Sequence, residues 1–347
     1  MTTQSTNRPI GIGIIGMGYM GQTHARAYLD AIADGSDARL VAVCDPDPDL
    51  RSGLASNRGN IGPGDAPDRI FDADDVAGYD IAGALLADDA IDLVSVCTPT
   101  DTHVDLATLA LQAGKHVLVE KPVAIRGEEI ERLIGVAERS GRLCIPAMCM
   151  RHWPGWRELK SIIDAGTHGR VVHARFERLG SMPAWGTAFY ADLDRSGGAI
   201  FDLHVHDADM ALWLFGATDA VSSVGDHHHI DSQYRYKQGP AVTTTGGWLN
   251  DPSCPFSMRY TVEFERAVLT FDSNAEHPAT LHANGQATHP TLEPGTGYDH
   301  QARAVIDAAG RSQPEGLPTL GDALAVTRLI DAERRSASEA RPIPSNI

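Results

Sequence analysis

Residues 201–209 read Phe-Asp-Leu-His-Val-His-Asp-Ala-Asp, three carboxylates and two imidazoles within nine positions. Two chemistries fit these side chains. A His-x-His pair on a strand projects both rings to one side, as in a metal site. An Asp and a His one helical turn apart instead offer a general base and a group to orient it, since imidazole titrates near neutral pH. Period two would align Asp202, His204 and His206, but the alternation breaks at Asp207 and no turn residue follows until Gly216. Ala199 to Phe215, led in by Gly197 and Gly198, is long enough for a helix. At about 100° per residue, Asp202, His206 and Asp209 share a stripe roughly 60° wide, with His204 on the far side. The stretch is expected to be a buried helix with a narrow polar seam. His206 is the candidate base, Asp202 orients it or holds substrate, and Asp209 serves a structural hydrogen bond. The two histidines diverge, so no metal is expected.

A seam of this kind needs something to react with, and the first half of the chain supplies it. Residues 10–15 are an apolar run followed by Gly16, Gly18 and Gly21 in G-x-G-x-x-G spacing and then a helical pattern. A second apolar run ends in Asp45, 24 residues past Gly21. The spacing alone is weak; strand before, helix after and acid beyond make it a dinucleotide signature. Gly16 makes the tight turn, Gly18 admits the pyrophosphate and Gly21 lets helix and strand pack closely. Met17, Tyr19 and Met20 complete the expected cofactor loop. The anion is expected at the helix N-terminus, where free N–H groups favour negative charge. Asp45 is expected to hold the ribose hydroxyls and repel a 2′-phosphate, which points to NAD.

Strand and helix signals continue to alternate through residues 91–99, a capped helix ending at Gly114, residues 115–122, a helix from Gly127 and a strand at 142–150. This pattern implies a parallel sheet with helices on both faces, and ligands at the C-terminal strand ends. Thr98, Pro99, His103, Glu120 and Lys121 are accordingly assigned to the cofactor crevice. Lys121 follows an apolar strand and precedes a proline. A partly desolvated ammonium there can hold a substrate hydroxyl and stabilise the alkoxide as hydride leaves.

Composition narrows the classes. The 347 residues carry a net charge of −17 with 42% hydrophobic content, which suits about two globular domains and disfavours nucleic acid or an acidic membrane as partner. Neither a membrane span nor a leader is read in the sequence, and the five scattered cysteines suggest no disulfide framework, so a cytoplasmic protein is expected.

The segments GIIGMGYMGQTHARAY, VAVCDPDPD, CTPTDTHVDLATLALQAGKHVLVEKPVAI, GGAIFDLHVHDADMALWLFG and GDALAVTRLIDAERRSA occur in the order of one known family. With them the chain resembles the glucose–fructose oxidoreductase and inositol dehydrogenase family. The resemblance implies an N-terminal Rossmann domain with a parallel sheet (residues 1–148). It also implies an α/β domain with a large, mostly antiparallel open sheet for substrate binding and oligomerisation (149–347). It further implies nicotinamide-dependent redox chemistry on a sugar, cyclitol or related polyol. Lys121 matches the lysine of the family's Glu-Lys-Pro motif, and Asp202 and His206 match the acid and histidine of its catalytic helix. His204 departs from the pattern, since many relatives carry a small residue there; it can fill that space, reach substrate or pack.

Arg151, His152 and Trp153 occupy the family's substrate-facing crossover and are expected to bind a hydroxylated or anionic sugar. The histidines of DHHHID (226–231) are read as a loop or strand end. An open sheet face predicts a homo-oligomer, dimer or tetramer. Two alternatives stand beside the dehydrogenase. A redox-neutral glycosidase of the same fold would oxidise a sugar ring transiently, with His204 or Asp207 as the extra acid or base. A non-catalytic nicotinamide-binding sensor would be expected to lack Lys121, Asp202 or His206, and all three are present.

Overall fold

In the computed structural model, residues 8–55 and 69–345 are described. The chain divides into two compact units, Met1–Cys149 with Thr296–Ala323 and Met150–Gly295 with Leu324–Ile347.

The first unit is built on strands β1 (Ile10–Ile15), β2 (Ala38–Cys44), β3 (Ala77–Tyr79), β4 (Leu93–Val96), β5 (His116–Val119) and β6 (Cys144–Pro146). They pair in the order β3-β2-β1-β4-β5-β6, and every pair is parallel. Buried on both faces, β1, β4 and β5 have no exposed residue, which is why their sequences run apolar instead of alternating. Helix α1 (Tyr19–Ala33) follows β1 and buries Ala25, Ala27, Tyr28 and Ala31. Helix α2 (His103–Gln112) joins β4 to β5, and α3 (Gly127–Ser140) joins β5 to β6. The capped helix expected before Gly114 instead begins as a 3₁₀ turn over Thr100–Thr102, and Thr102 makes no side-chain cap. Strand order reverses between β1 and β4, so the ligand crevice of this sheet lies beyond their carboxyl ends.

The second unit opens with α4 (Pro154–Ala165) and β7 (Val171–Ser181). A π-helical turn at Ile200–His204 leads into α5 (Val205–Phe215). Strands β8 (Ala220–Gly225), β9 (His229–Arg235), β10 (Ala241–Leu249), β11 (Ser257–Phe264), β12 (Ala267–Asp272), β13 (Ala279–Ala283) and β14 (Gln286–Thr288) follow. Helix α6 (Gly297–Arg311) returns to the first unit. Helix α7 (Leu320–Glu339) belongs to the second from Leu324 onward, and β15 (Ile343–Pro344) closes the chain's regular structure. The sheet order is β14-β13-β12-β11-β7-β10-β9-β8-β15. Only the β7–β10 pair within it is parallel.

Alternation along these strands separates two faces. Ala174, Phe176 and Arg178 of β7 point inward with Tyr260 and Val262 of β11, while Arg175, Glu177, Asp231 and Thr243 lie on the less covered face. Trp156 of α4 is fully buried against Phe271 and Tyr260, at ring distances of 4.6 and 5.3 Å. A Cβ on Gly155 would stand 2.3 Å from Phe271, so this approach requires glycine.

A parallel Rossmann sheet followed by a mostly antiparallel one is the expected fold. The helix through residues 201–209 departs from expectation in one respect, because its first turn is π rather than α. Ala199 donates its N–H to the His227 carbonyl, outside the helix. Such turns concentrate at functional sites, where they re-aim side chains.

Candidate active site

In the first unit the glycine loop has the geometry the spacing predicts. Gly16 has φ +89°, and a Cβ there would fall 2.7 Å from the Cys97 carbonyl. A Cβ on Gly21 would fall 1.9 Å from the Gly16 carbonyl, so the helix start can approach the loop only without side chains. At Gly18 a Cβ would meet nothing within 4 Å; this residue faces open space at the N-cap of α1. No side chain caps that helix and its first turn holds no acid, which leaves an N-terminus fit for a pyrophosphate. At the end of β2, Asp45 accepts the Met17 N–H through Oδ2 at 2.7 Å and the Asp47 N–H through Oδ1 at 2.9 Å. A carboxylate offers about four acceptor sites, so capacity for ribose hydroxyls remains.

Three expected cofactor contacts take inward roles instead. Met17 is fully buried and its N–H belongs to Asp45. His103, 1% exposed, bridges two loops, with Nε2 2.8 Å from the Thr98 carbonyl and Nδ1 2.9 Å from that of Pro122. Glu120, 4% exposed, faces His24 at 2.9 Å and accepts the Lys121 N–H at 3.0 Å. Gly18, Tyr19, Met20, Thr98, Pro99 and Lys121 keep surface at the strand and loop ends.

Behind this surface lies a buried polar cluster that the motifs do not reveal. His24 Nδ1 is 3.3 Å from Ser95 Oγ and 3.5 Å from Cys97 Sγ, and Tyr28 and Ser95 share a hydrogen bond at 2.8 Å. Burial alone would lower the His24 pKa, but Cys97 and Glu120 reverse that and raise it to about 10. Burial raises the Glu120 carboxyl, and His24 more than offsets this and holds it below the ordinary carboxylate range. One sequence signal was available: Gly21, His24 and Tyr28 fall on one helical stripe, and Gly21 already faces the sheet.

In the second unit the segment 200–215 carries five ionisable residues, of which only Asp202 and His206 are not buried. Asp202 accepts the Trp248 indole N–H at 3.2 Å. Asp209 pairs with Arg151 through Nε and Nη2 at 2.6–3.1 Å, both side chains being at most 9% exposed. The structural role expected of Asp209 is thus the one it has. Arg151, expected at the substrate, is committed to this ion pair and braces the helix. His152 and Trp153 sit half-buried just before α4.

His204 is fully buried and its Nε2 lies 3.0 Å from both Glu333 oxygens, while Tyr234 donates to Glu333 at 2.6 Å. Burial lowers the His204 pKa, but Glu333 outweighs it and the net direction is upward. A Cβ on the facing Gly246 would stand 2.7 Å from that of His204, so a glycine on β10 makes room for the imidazole. Of the three uses open to His204, packing with a buried partner is the one realised. Asp207 is also fully buried, with Arg178 donating at 3.1 and 3.2 Å. No motif marks Trp248 or Glu333; for Trp248 the period-two pattern Val242, Thr244, Gly246, Trp248 places the indole on the inward face. Among the described residues, no group of three or more His, Cys, Asp or Glu side chains is placed to hold a metal ion.

Comparisons with known proteins agree with this architecture. Residues 10–148 match a family described as an oxidoreductase family with an NAD-binding Rossmann fold, and residues 156–270 match the GFO/IDH/MocA C-terminal domain. Inositol 2-dehydrogenase of Rhizobium meliloti is 28% identical over 355 residues, covering 96% of this chain and 98% of that protein. D-glucoside 3-dehydrogenase of Escherichia coli is 30% identical over 230 residues, covering 65% of this chain and 60% of the relative. In fold, the chain is similar to levoglucosan dehydrogenase in complex with NADH and levoglucosan, with a TM-score of 0.82 at 19% identity. That match covers 98% of this chain and 100% of the other.

Proposed function

The chain belongs to the GFO/IDH/MocA family of NAD-binding oxidoreductases, and within it we propose an NAD-dependent dehydrogenase acting on a hydroxyl of a sugar, cyclitol or sugar derivative. One observation carries the reading. Of the ionisable residues on the 200–215 segment, Asp202 and His206 alone keep surface, while His204, Asp207 and Asp209 are buried and partnered inside the unit. This selective exposure supports a base and an orienter over a generally polar helix.

Bound NAD supplies the hydride acceptor. His206 takes the hydroxyl proton as general base, and Asp202, fixed by Trp248, orients the hydroxyl. Lys121 stabilises the substrate oxygen as negative charge develops on it. Asp45 favours NAD over NADP. His204 and Asp207, either of which could supply the extra acid or base of a redox-neutral glycosidase, are both fully buried and engaged with Glu333 and Arg178, which favours the simple oxidation.

The less covered face of the nine-stranded sheet suits a second copy of the chain, so a homo-oligomer is part of the proposal. The five cysteines are free thiols, in keeping with a reducing compartment such as the cytoplasm. No helix among the described residues is long and apolar enough to cross a membrane. The negative net charge argues against nucleic acid as a partner.

The test is incubation with NAD and a panel of sugars, cyclitols and aryl glycosides, following reduced cofactor and free aglycone together. Stoichiometric reduced cofactor supports the proposal. Aglycone release without net reduction, with solvent deuterium entering the sugar beside the oxidised carbon, would replace it with the glycosidase reading. Tight NAD binding with neither product would leave a sensor.

A further inference from the structure

The Asp226–His228 turn between β8 and β9, expected from sequence as a loop or strand end, is fastened on two sides to the elements around Asp202. The His227 carbonyl accepts the Ala199 N–H at 2.8 Å, at the start of the helical segment carrying Asp202. A Cβ on Gly198 would stand 2.5 Å from that same carbonyl, so the glycine lets the turn press against the helix start. The His228 carbonyl accepts the Trp248 N–H at 2.8 Å, and Asp226 closes the turn by accepting the His228 N–H at 2.7 Å. The turn is therefore held in place by main-chain bonds, and its rings are held with it.

Those rings form a continuous set. His227 and His228 lie 4.4 Å apart, His228 is 5.7 Å from Trp248, and Trp248 is 5.5 Å from Tyr190 at 85°. Trp248 is 5% exposed and sends its indole N–H to Asp202, so it backs the set and joins it to the acid. His228 is exposed, while His227 and Tyr190 keep part of their surface. Aromatic rings with one face packed and another open offer a sugar's C–H face a stacking partner, and imidazole nitrogens beside them can bond its hydroxyls. A purely structural cluster would turn these rings inward.

We propose that Tyr190 and His228, backed by Trp248, form a subsite adjoining Asp202 that receives a second ring of the substrate, the aglycone or neighbouring sugar of a glycoside. The inference rests on the assignment of Asp202 to substrate binding and deepens it: the substrate is a glycoside or disaccharide rather than a free monosaccharide. Pre-placed rings recognise such a ligand without ordering a loop on binding.

The experiment uses the full chain with NAD and compares kcat/KM for glucose, methyl β-glucoside, phenyl β-glucoside and cellobiose. The wild type should prefer the two-ring compounds over glucose by roughly tenfold or more. His228→Ala and, separately, Tyr190→Ala should each cut that preference by roughly three- to tenfold, the worth of one aromatic contact. Equal losses on one-ring and two-ring compounds, or no loss in either variant, would overturn the subsite. Binding of phenyl β-glucoside and cellobiose to the protein loaded with reduced cofactor, measured by calorimetry, separates this proposal from the reaction itself. If no compound is oxidised yet the wild type binds the two-ring ligands more tightly than His228→Ala does, the subsite stands and the dehydrogenase reading fails. If the wild type shows no preference for two-ring ligands in either assay, the subsite fails.

Discussion

Replacing His24 with Leu removes the cation facing Glu120 and leaves a carboxylate only 4% exposed without its partner. The rise in the His24 pKa from 6.5 to about 10 sets the scale. At about 1.4 kcal/mol per unit it corresponds to roughly 5 kcal/mol if every neighbour were charged. Burial, however, pushes the Cys97 thiol up, so near neutral pH it is an uncharged SH and Glu120 alone holds the imidazolium. About 3 kcal/mol is then the reasoned loss, at the low end for breaking a buried pair. For a unit of this size that is roughly 6–12 °C in melting temperature. The sign with pH follows from the directions of the two shifts. The His24 contribution is complete below its unfolded value of 6.5 and is lost as pH rises through its raised folded value, which an uncharged Cys97 leaves below about 10. The Glu120 contribution is complete above its unfolded value of 4.5 and is lost as pH falls through its lowered folded value. Glu120→Gln tests this independently. Its amide can accept the Lys121 N–H and donate to a neutral His24, so it should cost only about 1–2 kcal/mol near neutrality. Scanning calorimetry between pH 6.5 and about 10 reads both variants, and the gap between wild type and Glu120→Gln should shrink as pH rises. A His24→Leu protein melting within about 2 °C of wild type, or a gap that stays constant with pH, would refute the ion-pair reasoning.

His206→Ala should lower kcat by roughly two to four powers of ten while leaving the NAD dissociation constant within about twofold, as expected of a lost general base. Steady-state kinetics with cofactor titration checks this, and near-normal turnover would remove His206 from the role. On the proposed role of Asp45 at the cofactor ribose, Asp45→Ala should weaken NAD and narrow the NAD-to-NADP affinity ratio by about tenfold or more, since a carboxylate there would repel a 2′-phosphate. Calorimetric titration of both cofactors reads the ratio, and an unchanged ratio would place cofactor choice elsewhere.

Local chemistry and periodicity were enough for much of this molecule. Apolar runs in β1, β4 and β5 could only be strands buried on both faces, and a parallel sheet followed from their alternation with helices. The glycine spacing was legible because each glycine answers a constraint within a few residues, such as the 1.9 Å approach of a Cβ on Gly21 to the Gly16 carbonyl. The broken alternation at Asp207 likewise identified residues 201–209 as helical. What periodicity does not encode is which polar groups meet. His24 finds Glu120 across 96 residues, Arg151 finds Asp209 across 58, Trp248 finds Asp202 across 46 and His204 finds Glu333 across 129. A buried charge must be paired, but the demand names no partner, and only the tertiary fold selects one. The π turn left no trace in sequence for a similar reason, since one shifted main-chain bond barely alters a hydrophobic pattern. Residue types thus decided that an acid, a histidine and a lysine were available for chemistry. Packing decided that Asp202 and His206 keep surface, while Arg151, His204, Glu120 and Asp207 are turned inward to hold the structure.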